Sequence, residues 1–249
     1  MKKLLTLAIG VLVAVVSFAQ SEETRKLPPF SKISVGEGID VFLKQGDKES
    51  ARVIADNFDI EEVLTEVSGE KLRIHLDKNW WESTKNVDIE VYVTYVSISG
   101  LAASSSGSIV AEGDIETEGD FDVDVSSSGE IKATIKADQL SIDASSAGDM
   151  ELVVEVNEIE ADISSAGDIR LTGTAKIQDV EVSSSGDYHA YGVEGSEADL
   201  SASSGGSIKV TVSKEIEARA SSGASIRYKG SPKYVDINTS SGGSVSKSK

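Results

Sequence analysis

Apolar and polar residues alternate over much of this chain, with an apolar residue at every second position. Phe121, Val123 and Val125 are apolar, whereas the intervening Asp122 and Asp124 are charged. A period of two is typical of a β-strand with one face buried and the other in water. The same alternation recurs in Leu140-Ile142-Ala144, Ile159-Ala161-Ile163, Ile216-Ala218-Ala220 and Val235-Ile237. The pattern therefore predicts a series of short strands.

A motif of two serines, two small residues, a polar residue and an apolar residue interrupts the alternation. It occurs eight times, and successive copies start 22, 19, 19, 19, 20, 18 and 19 residues apart. The copies begin at Ser104, Ser126, Ser145, Ser164, Ser183, Ser203, Ser221 and Ser240. A second alternating run follows each motif, so each repeat is predicted to hold two short strands and two bends.

The repeat length decides the architecture. About nineteen residues leave no room for a helical crossover of a dozen or more residues between parallel strands, so the chain must coil directly. A propeller blade needs about 40 residues, and a sandwich needs hairpin turns such as Asn-Gly. We therefore predict an all-β fold: a single-stranded, right-handed parallel β-solenoid (β-helix) with about nineteen residues per coil. Its regular repeats are expected over residues 101–246, after irregular N-terminal coils and a cap over residues 30–100.

The serine motif is predicted to form a tight corner. The glycines that follow the small residues can adopt a positive φ with little strain. They are Gly107, Gly129, Gly148, Gly167 and Gly186. Stacked serine hydroxyl groups would pass hydrogen bonds from coil to coil. Because the serines recur in one position, we interpret them as structural and not as catalytic.

The N-terminus has the three parts of a secretory signal peptide, predicted at residues 1–19. Lys2 and Lys3 precede an apolar run, which ends in a small-residue cleavage site at Ala19. The run is short for a bilayer span, so we expect no stable transmembrane span and an exported protein, placed in the periplasm, on the outer surface or outside the cell. Residues 20–29 are predicted to be a linker and residues 247–249 a frayed tail.

Composition excludes several classes of protein. The chain has 24 Lys and Arg against 42 Asp and Glu, a net charge of −18. Nucleic acid is an unsuitable partner for so acidic a chain. The chain has no cysteine and only two histidines, and it lacks a Gly-x-Ser-x-Gly nucleophile motif. We therefore predict neither an enzyme nor a cofactor.

The phase of the charges suggests a candidate interaction surface. Asp124, Asp143, Asp162 and Glu181 stand two residues before four successive motifs, so they are expected to form an acidic column. Such a column could attract a weakly bound divalent cation, or it could simply be solvated. A second, largely basic column is expected from Lys132, Glu151, Arg170, His189, Lys209 and Arg227.

An aromatic pair, Trp80 and Trp81, is the other candidate. Two adjacent indole rings could form a platform for a sugar or a partner protein. They could equally cover the open end of the solenoid, as terminal coils require.

These features together resemble the putative auto-transporter adhesin, head GIN domain family of exported proteins. The resemblance lies in residues 30–35 (FSKISV), in residues 38–41 (GIDV) with 44–47 (KQGD), and in the repeated Ser-Ser-small-Gly-Asp-Ile corner. It extends over about residues 28–245. It implies a single-stranded β-solenoid of the cell envelope, and it brings no catalytic residues.

Three functional hypotheses follow. The first is a non-enzymatic exported envelope or cell-surface interaction protein, adhesin-like, that binds glycan, protein or its own copies as a homo-oligomer. The second is a sugar-active solenoid enzyme, a polysaccharide lyase or hydrolase, because carboxylate pairs can act on sugars. The third is a structural spacer stabilised by cations.

Overall fold

The computed structural model describes residues 21–77 and 87–249, which form one β-solenoid of about eight turns with about nineteen residues per turn. Within these residues there are nineteen β-strands and one turn of 3₁₀ helix, Ile60–Glu62. The first nine strands are β1 (Ser21–Lys26), β2 (Lys32–Val35), β3 (Asp40–Gln45), β4 (Ser50–Asp56), β5 (Val63–Ser68), β6 (Lys71–Leu76), β7 (Asp88–Tyr95), β8 (Gly100–Ala103) and β9 (Ser108–Glu116). The others are β10 (Asp120–Val125), β11 (Glu130–Lys136), β12 (Gln139–Ala144), β13 (Asp149–Ile163), β14 (Asp168–Val182), β15 (Asp187–Ala202), β16 (Ser207–Ala220), β17 (Ser225–Lys229), β18 (Tyr234–Thr239) and β19 (Ser244–Lys247).

Each coil contributes one strand segment before its serine corner and one after it, and these segments stack into two ladders. The pre-corner sheet runs in the order β5, β6, β2, β8, β10, β12, the second halves of β13 to β16, and β18. The post-corner sheet runs in the order β1, β4, β7, β3, β9, β11, the first halves of β13 to β16, β17 and β19. All pairings after β6 in the pre-corner order and after β7 in the post-corner order are parallel, which confirms the predicted stacking.

The interior is filled by the residues that the alternation placed inward. Phe121, Leu140 and Ile159 lie above one another in successive coils, and each is fully buried. A buried side chain of this size contributes roughly 1.5–3 kcal/mol through removal of apolar surface from water. The sequence expectation of two separate strands per repeat holds only in part, because β13 to β16 continue from one serine corner to the next.

The serine corner is a four-residue turn with the same geometry in each repeat. In one example, the Gly129 N–H donates to the Ser126 carbonyl, and Ser127 and Ser128 have φ values of 49° and 60°. Two consecutive positive φ angles with this hydrogen bond are the features of a type I′ turn. The corner backbones also bond to one another, as where the Ser128 N–H donates to the Ser146 carbonyl at 3.1 Å. Backbone groups thus make the coil-to-coil bonds that the sequence analysis attributed to serine hydroxyls.

The corner glycines do not take the positive φ that we predicted for them. The second and third corner residues take it instead, such as Ser146 at 50° and Ala147 at 60°. The fourth residue is glycine because its Cα passes against the preceding coil. A Cβ on Gly148 would lie 2.7 Å from a Val125 methyl group and 2.9 Å from the Val125 carbonyl carbon. Crowding, not backbone conformation, selects glycine at this position.

The N-terminal end of the solenoid is closed by antiparallel strands. β1 pairs with β4, β4 with β7, and β5 with β6, all antiparallel. The Arg25 guanidinium reaches across this end and donates to the carbonyl groups of Ile60, at 2.9 Å, and of Val63. The predicted linker, residues 20–29, therefore contains a paired strand, because β1 finds its partner about thirty residues later in the chain.

The C-terminal coil is open on one side. Core-phase residues of β18 are partly exposed, with Val235 at 49% and Ile237 at 42%. Pairing nevertheless continues close to the C-terminus, because β19 runs to Lys247 and the Ser248 N–H donates to the Tyr228 carbonyl. The predicted frayed tail is thus paired for its first two residues.

Candidate functional site

The predicted acidic column lies beside the serine corners, on the outer face of the pre-corner sheet. Asp124 pairs in register with Asp143, Asp143 with Asp162, and Asp162 with Glu181. Their side chains point outward because the flanking residues of each strand are buried in the core. The structure thus brings together all four carboxylates of the column.

A groove of about 400 Å³ runs along this column. Its lining combines the carboxylates, the last core residue of each strand and the first serine of each corner: Asp124, Val125, Ser126, Asp143, Ala144, Ser145, Asp162, Ile163, Ser164, Glu181 and Ser183. The serines were interpreted only as corner residues from the sequence. Here they add a row of hydroxyl groups parallel to the row of carboxylates.

Two carboxyl groups of the column, those of Asp124 and Asp143, have raised pKa values. Partial burial raises the pKa of Asp143, and the neighbouring charges of Asp124 and Asp162 raise it further. Partial burial also raises the pKa of Asp124, with a contribution from Asp122, although Lys71 and Lys32 oppose it. Because a raised pKa marks a carboxylate whose charged form is disfavoured, the column would gain from a ligand that donates hydrogen bonds to it.

The acidic column ends at Arg219. In the register of the column, Glu181 is followed by Ser201 and then by Arg219. The Arg219 guanidinium lies 2.9 Å from Asp199 and also pairs with Glu217. Sequence reasoning missed this arginine as a groove boundary, although counting two residues back from the Ser221 motif would have found it.

The geometry does not favour a metal site. Within residues 21–77 and 87–249, no group of three or more His, Asp or Glu side chains is arranged to hold a metal ion. The carboxylates of the column follow one another one strand apart, whereas a cation such as Ca²⁺ needs several oxygen ligands converging on one point. The hypotheses of a weak divalent cation and of a cation-stabilised spacer therefore gain no support.

The predicted basic column is present on the post-corner sheet, but acidic neighbours neutralise much of it. Lys132 pairs with Glu130 at 2.5 Å, and Arg170 pairs with Asp168 at 2.7 Å. The next coil keeps an acidic residue, Asp187, at this position, but Ser207 and Ser225 occupy it in the two coils after that. Positive charge consequently accumulates towards the C-terminal end.

A half-buried aromatic cluster lies near the N-terminal end. The rings of Phe42 and Tyr92 stack with centroids 5.0 Å apart, and the Arg52 guanidinium lies 4.4 Å from the Tyr92 centroid. A hydrogen bond to Glu90 raises the pKa of the Tyr92 phenol. Outward-phase aromatic residues in two strands were the sequence signal for this cluster. The predicted aromatic pair, Trp80 and Trp81, lies outside the described residues.

The fold and the groove together define the class: a β-solenoid protein whose surface carries regular rows of polar groups along its axis. The sequence profile of the family described as putative auto-transporter adhesin, head GIN domain, matches residues 29–232. The chain belongs to this family.

Solved structures share the fold across nearly the whole chain. A structure described as a putative adhesin from Parabacteroides merdae has a TM-score of 0.81 at 17% identity and covers 92% of this chain and 96% of its own. A structure described as a putative lipid binding protein from Parabacteroides distasonis has a TM-score of 0.78 at 20% identity, with 92% and 97% covered. A putative adhesin from Bacteroides fragilis has a TM-score of 0.66 at 19% identity, with 93% and 98% covered.

No curated protein matches the chain. None of the helices in the described residues is long and apolar enough to cross a membrane. The fold is therefore shared with proteins that carry two different functional descriptions, and the ligand has to be argued from the groove itself.

Proposed function

We propose that this protein is a non-enzymatic, adhesin-like interaction protein of the cell envelope that binds a glycan along the acidic groove. The observation that carries the proposal is the period of the groove, in which Asp124, Asp143 and Asp162 repeat once per coil. Neighbouring strands lie about 4.8 Å apart, so the groove offers evenly spaced acceptors. A polymer that presents hydroxyl donors at regular intervals suits such a row, because ionised carboxylates are acceptors only.

The rigidity of the groove supports this proposal. Each groove residue lies on a strand that is paired on both sides, or in a corner that is bonded to the next corner. A preorganised surface loses little conformational entropy when a ligand binds. The predicted signal peptide and the family description support a location in the envelope.

A glycan fits the groove better than a lipid does. Lipid binding is the description of one structural neighbour. An acyl chain needs an apolar cavity, whereas carboxylates and serine hydroxyls line this groove. Inside the solenoid, side chains such as Phe121 and Tyr188 fill the centre.

A sugar-active enzyme is the second candidate, and the pKa values of two groove aspartates favour it. The raised pKa values of Asp124 and Asp143 are a property of general acids. Glycoside hydrolysis, however, needs two carboxyl groups in different environments and different roles. The column repeats one arrangement, a carboxylate beside a serine corner, in successive coils, which favours binding over catalysis.

The test is a glycan array probed with the protein without its predicted signal peptide. We expect a variant with Asp124→Asn, Asp143→Asn and Asp162→Asn to lose at least about tenfold in affinity for the glycan that the parent binds, because three charged acceptors are removed. The matched control carries Glu118→Gln, Glu151→Gln and Glu197→Gln, which remove the same charge from exposed positions outside the groove lining.

An equal loss in both variants would show that overall charge, and not the groove, governs binding. Shortening of the bound glycan by the parent, abolished by one of the three aspartate substitutions, would establish the enzyme instead.

A further inference from the structure

The last coil presents an unfinished core. In β18, Tyr234 is 69% exposed, Val235 49% and Ile237 42%. The neighbours of Val235 and Ile237 in the preceding coil, Ile216 and Ala218, are fully buried, whereas Tyr234 lies beside Glu215 on the outer face. Among the described residues, three of the six exposed large hydrophobic side chains thus belong to this one strand. Apolar residues concentrated in this way are typical of a contact surface.

The same coil also ends both sheets. Within the described residues, β18 pairs only with β16 and β19 only with β17. No further strand of the described residues lies along their outer edges. Unpaired edge groups are a template for another strand. The N-terminal end differs, because antiparallel strands and the Arg25 hydrogen bonds close it. No exposed large hydrophobic side chain lies within residues 21–77.

We propose that the C-terminal coil docks onto the same coil of a second copy of the chain, so that two solenoids join tail to tail. A two-fold axis perpendicular to the solenoid would place β18 antiparallel to its counterpart, and β19 antiparallel to its own. Both sheets and the apolar core would then continue across the contact. A two-fold contact of this kind uses the same surface twice and closes both open edges in one step.

The C-terminal end of the solenoid, residues 205–249, is called the tail, and the N-terminal end, residues 21–77, the head. The apolar surface of the tail fits the tail of the second copy better than its head. Val235 and Ile237 need an apolar surface, and within the described residues the second tail supplies one while the head does not. Charge works against the contact, because residues 205–249 carry eight Lys and Arg against three Asp and Glu, a net charge of +5. Salt screens like charges, so tail-to-tail association should strengthen as ionic strength rises.

A head-to-tail contact would respond to salt in the opposite direction. Residues 21–77 carry eight Lys and Arg against thirteen Asp and Glu, a net charge of −5. A negative head would attract a positive tail, and salt would weaken that attraction.

Sedimentation equilibrium of the protein without its predicted signal peptide tests the proposal. We expect the parent to form a dimer that dissociates on dilution and becomes tighter in sodium chloride. Val235→Lys should weaken the dimer at least about tenfold, because it places a charge in an apolar contact. Val153→Lys is the matched control, since Val153 lies on the flank of the solenoid at 47% exposure. Its dimer should match that of the parent.

Spin-label distances give a second readout that does not depend on the folding of the Val235→Lys variant. The chain has no cysteine, so Lys233→Cys supplies a single labelling site just before β18. Two labels should lie about 20 Å apart in the tail-to-tail dimer, because antiparallel strands of six residues separate their like ends by this length. In a head-to-tail pair the eleven strands of the pre-corner sheet, to which β18 belongs, would separate the labels by about 55 Å.

A parent that stays monomeric at all accessible concentrations would overturn the proposal, as would a Val235→Lys variant that associates as tightly as the parent. Association that weakens in salt, with labels about 55 Å apart, would replace it with the head-to-tail contact.

Discussion

The two bends of each coil obey different rules. The serine corner keeps the same four-residue turn in successive coils, and the pre-corner ladder beside it runs from β8 to β18 without a register shift. The far corner, which leads from a post-corner strand to the next pre-corner strand, varies in length. Register shifts interrupt the post-corner ladder before it, as between Lys132 and Thr134, between Arg170 and Thr172, and between Ala190 and Gly195. The spacing of 18 to 22 residues between motifs is therefore absorbed along the post-corner strand and at the far corner.

The difference shows that the serine corner fixes the register between successive coils. At the serine corner, Gly148 packs against the Val125 backbone, and the corner backbones bond from coil to coil. Such contacts leave little room for an extra atom and none for an extra residue. At the far corner, loop closure depends only weakly on length, so added residues are tolerated.

Insertions should break this comparison most severely. Two alanines inserted after Ser146 would destroy the turn and displace the following strand from its ladder, and we expect a loss of more than about 4 kcal/mol in the free energy of unfolding. The same insertion after Asp138, at a far corner, should lose less than about 1 kcal/mol. Urea unfolding measures both variants, and equal midpoints would show that the two corners do not differ.

The next largest effect is expected for Gly148→Val, which we estimate to destabilise the protein by about 3 kcal/mol through overpacking against Val125. Gly148→Ala should destabilise less, because Ala224 occupies the equivalent fourth corner position and is buried there. Lys132→Ser, on the post-corner sheet, should have little effect. A valine variant as stable as the alanine variant would refute crowding as the reason for glycine.

A smaller effect of opposite sign should follow from Ala147→Gly. Ala147 has a φ of 60°, which strains a residue with a Cβ but not glycine. After the larger backbone entropy of glycine in the unfolded chain is subtracted, a gain of about 0.5–1 kcal/mol remains. Ala102→Gly is the control, because Ala102 lies within β8 and should lose stability. If Ala147→Gly lowered the melting temperature as Ala102→Gly does, the left-handed strain would be absent.

The smallest effect concerns the acidic column. The pKa of Asp143 is raised in the folded state, so its charged form opposes folding, and stability falls as pH rises through the folded pKa. Asp143→Asn should therefore stabilise the protein at neutral pH by less than about 1 kcal/mol, since solvent screens the charges. Below the ordinary aspartate pKa of 3.8 the gain should vanish. Thermal melts at both pH values measure it, and a gain that persists in acid would have another origin.

The coil and its acidic column were predictable because both depend on spacing alone. Residues nineteen apart, such as Asp143 and Asp162, stack whenever the repeats coil in register. The assignment of left-handed φ was wrong because it depends on a distance between coils. Ala166 and Gly167 are both small, yet Ala166 faces solvent with a φ of 63° while Gly167 lies against Ala144.

The N-terminal cap and the groove chemistry were beyond the sequence for a similar reason. β1 has no apolar alternation, and it is a strand only because β4 lies beside it. The serine hydroxyls and the carboxylates line one groove because of the angle at which the chain turns at the corner. The spacing of the motifs does not predict this angle. The boundary at Arg219, in contrast, follows from spacing, because Arg219 stands two residues before the Ser221 motif.

The stacking of identical coils also determines how the molecule would respond to tension. A pull on the C-terminal coil first loads β19 and β18, whose strand partners within residues 21–77 and 87–249 all lie in the coil beneath them. Their release exposes the next coil in the same condition, so the column would unspool one coil at a time at a nearly constant force. Each released coil of about nineteen residues would yield about 65 Å of extended chain. An adhesive contact held through this end would thus dissipate load through successive small ruptures.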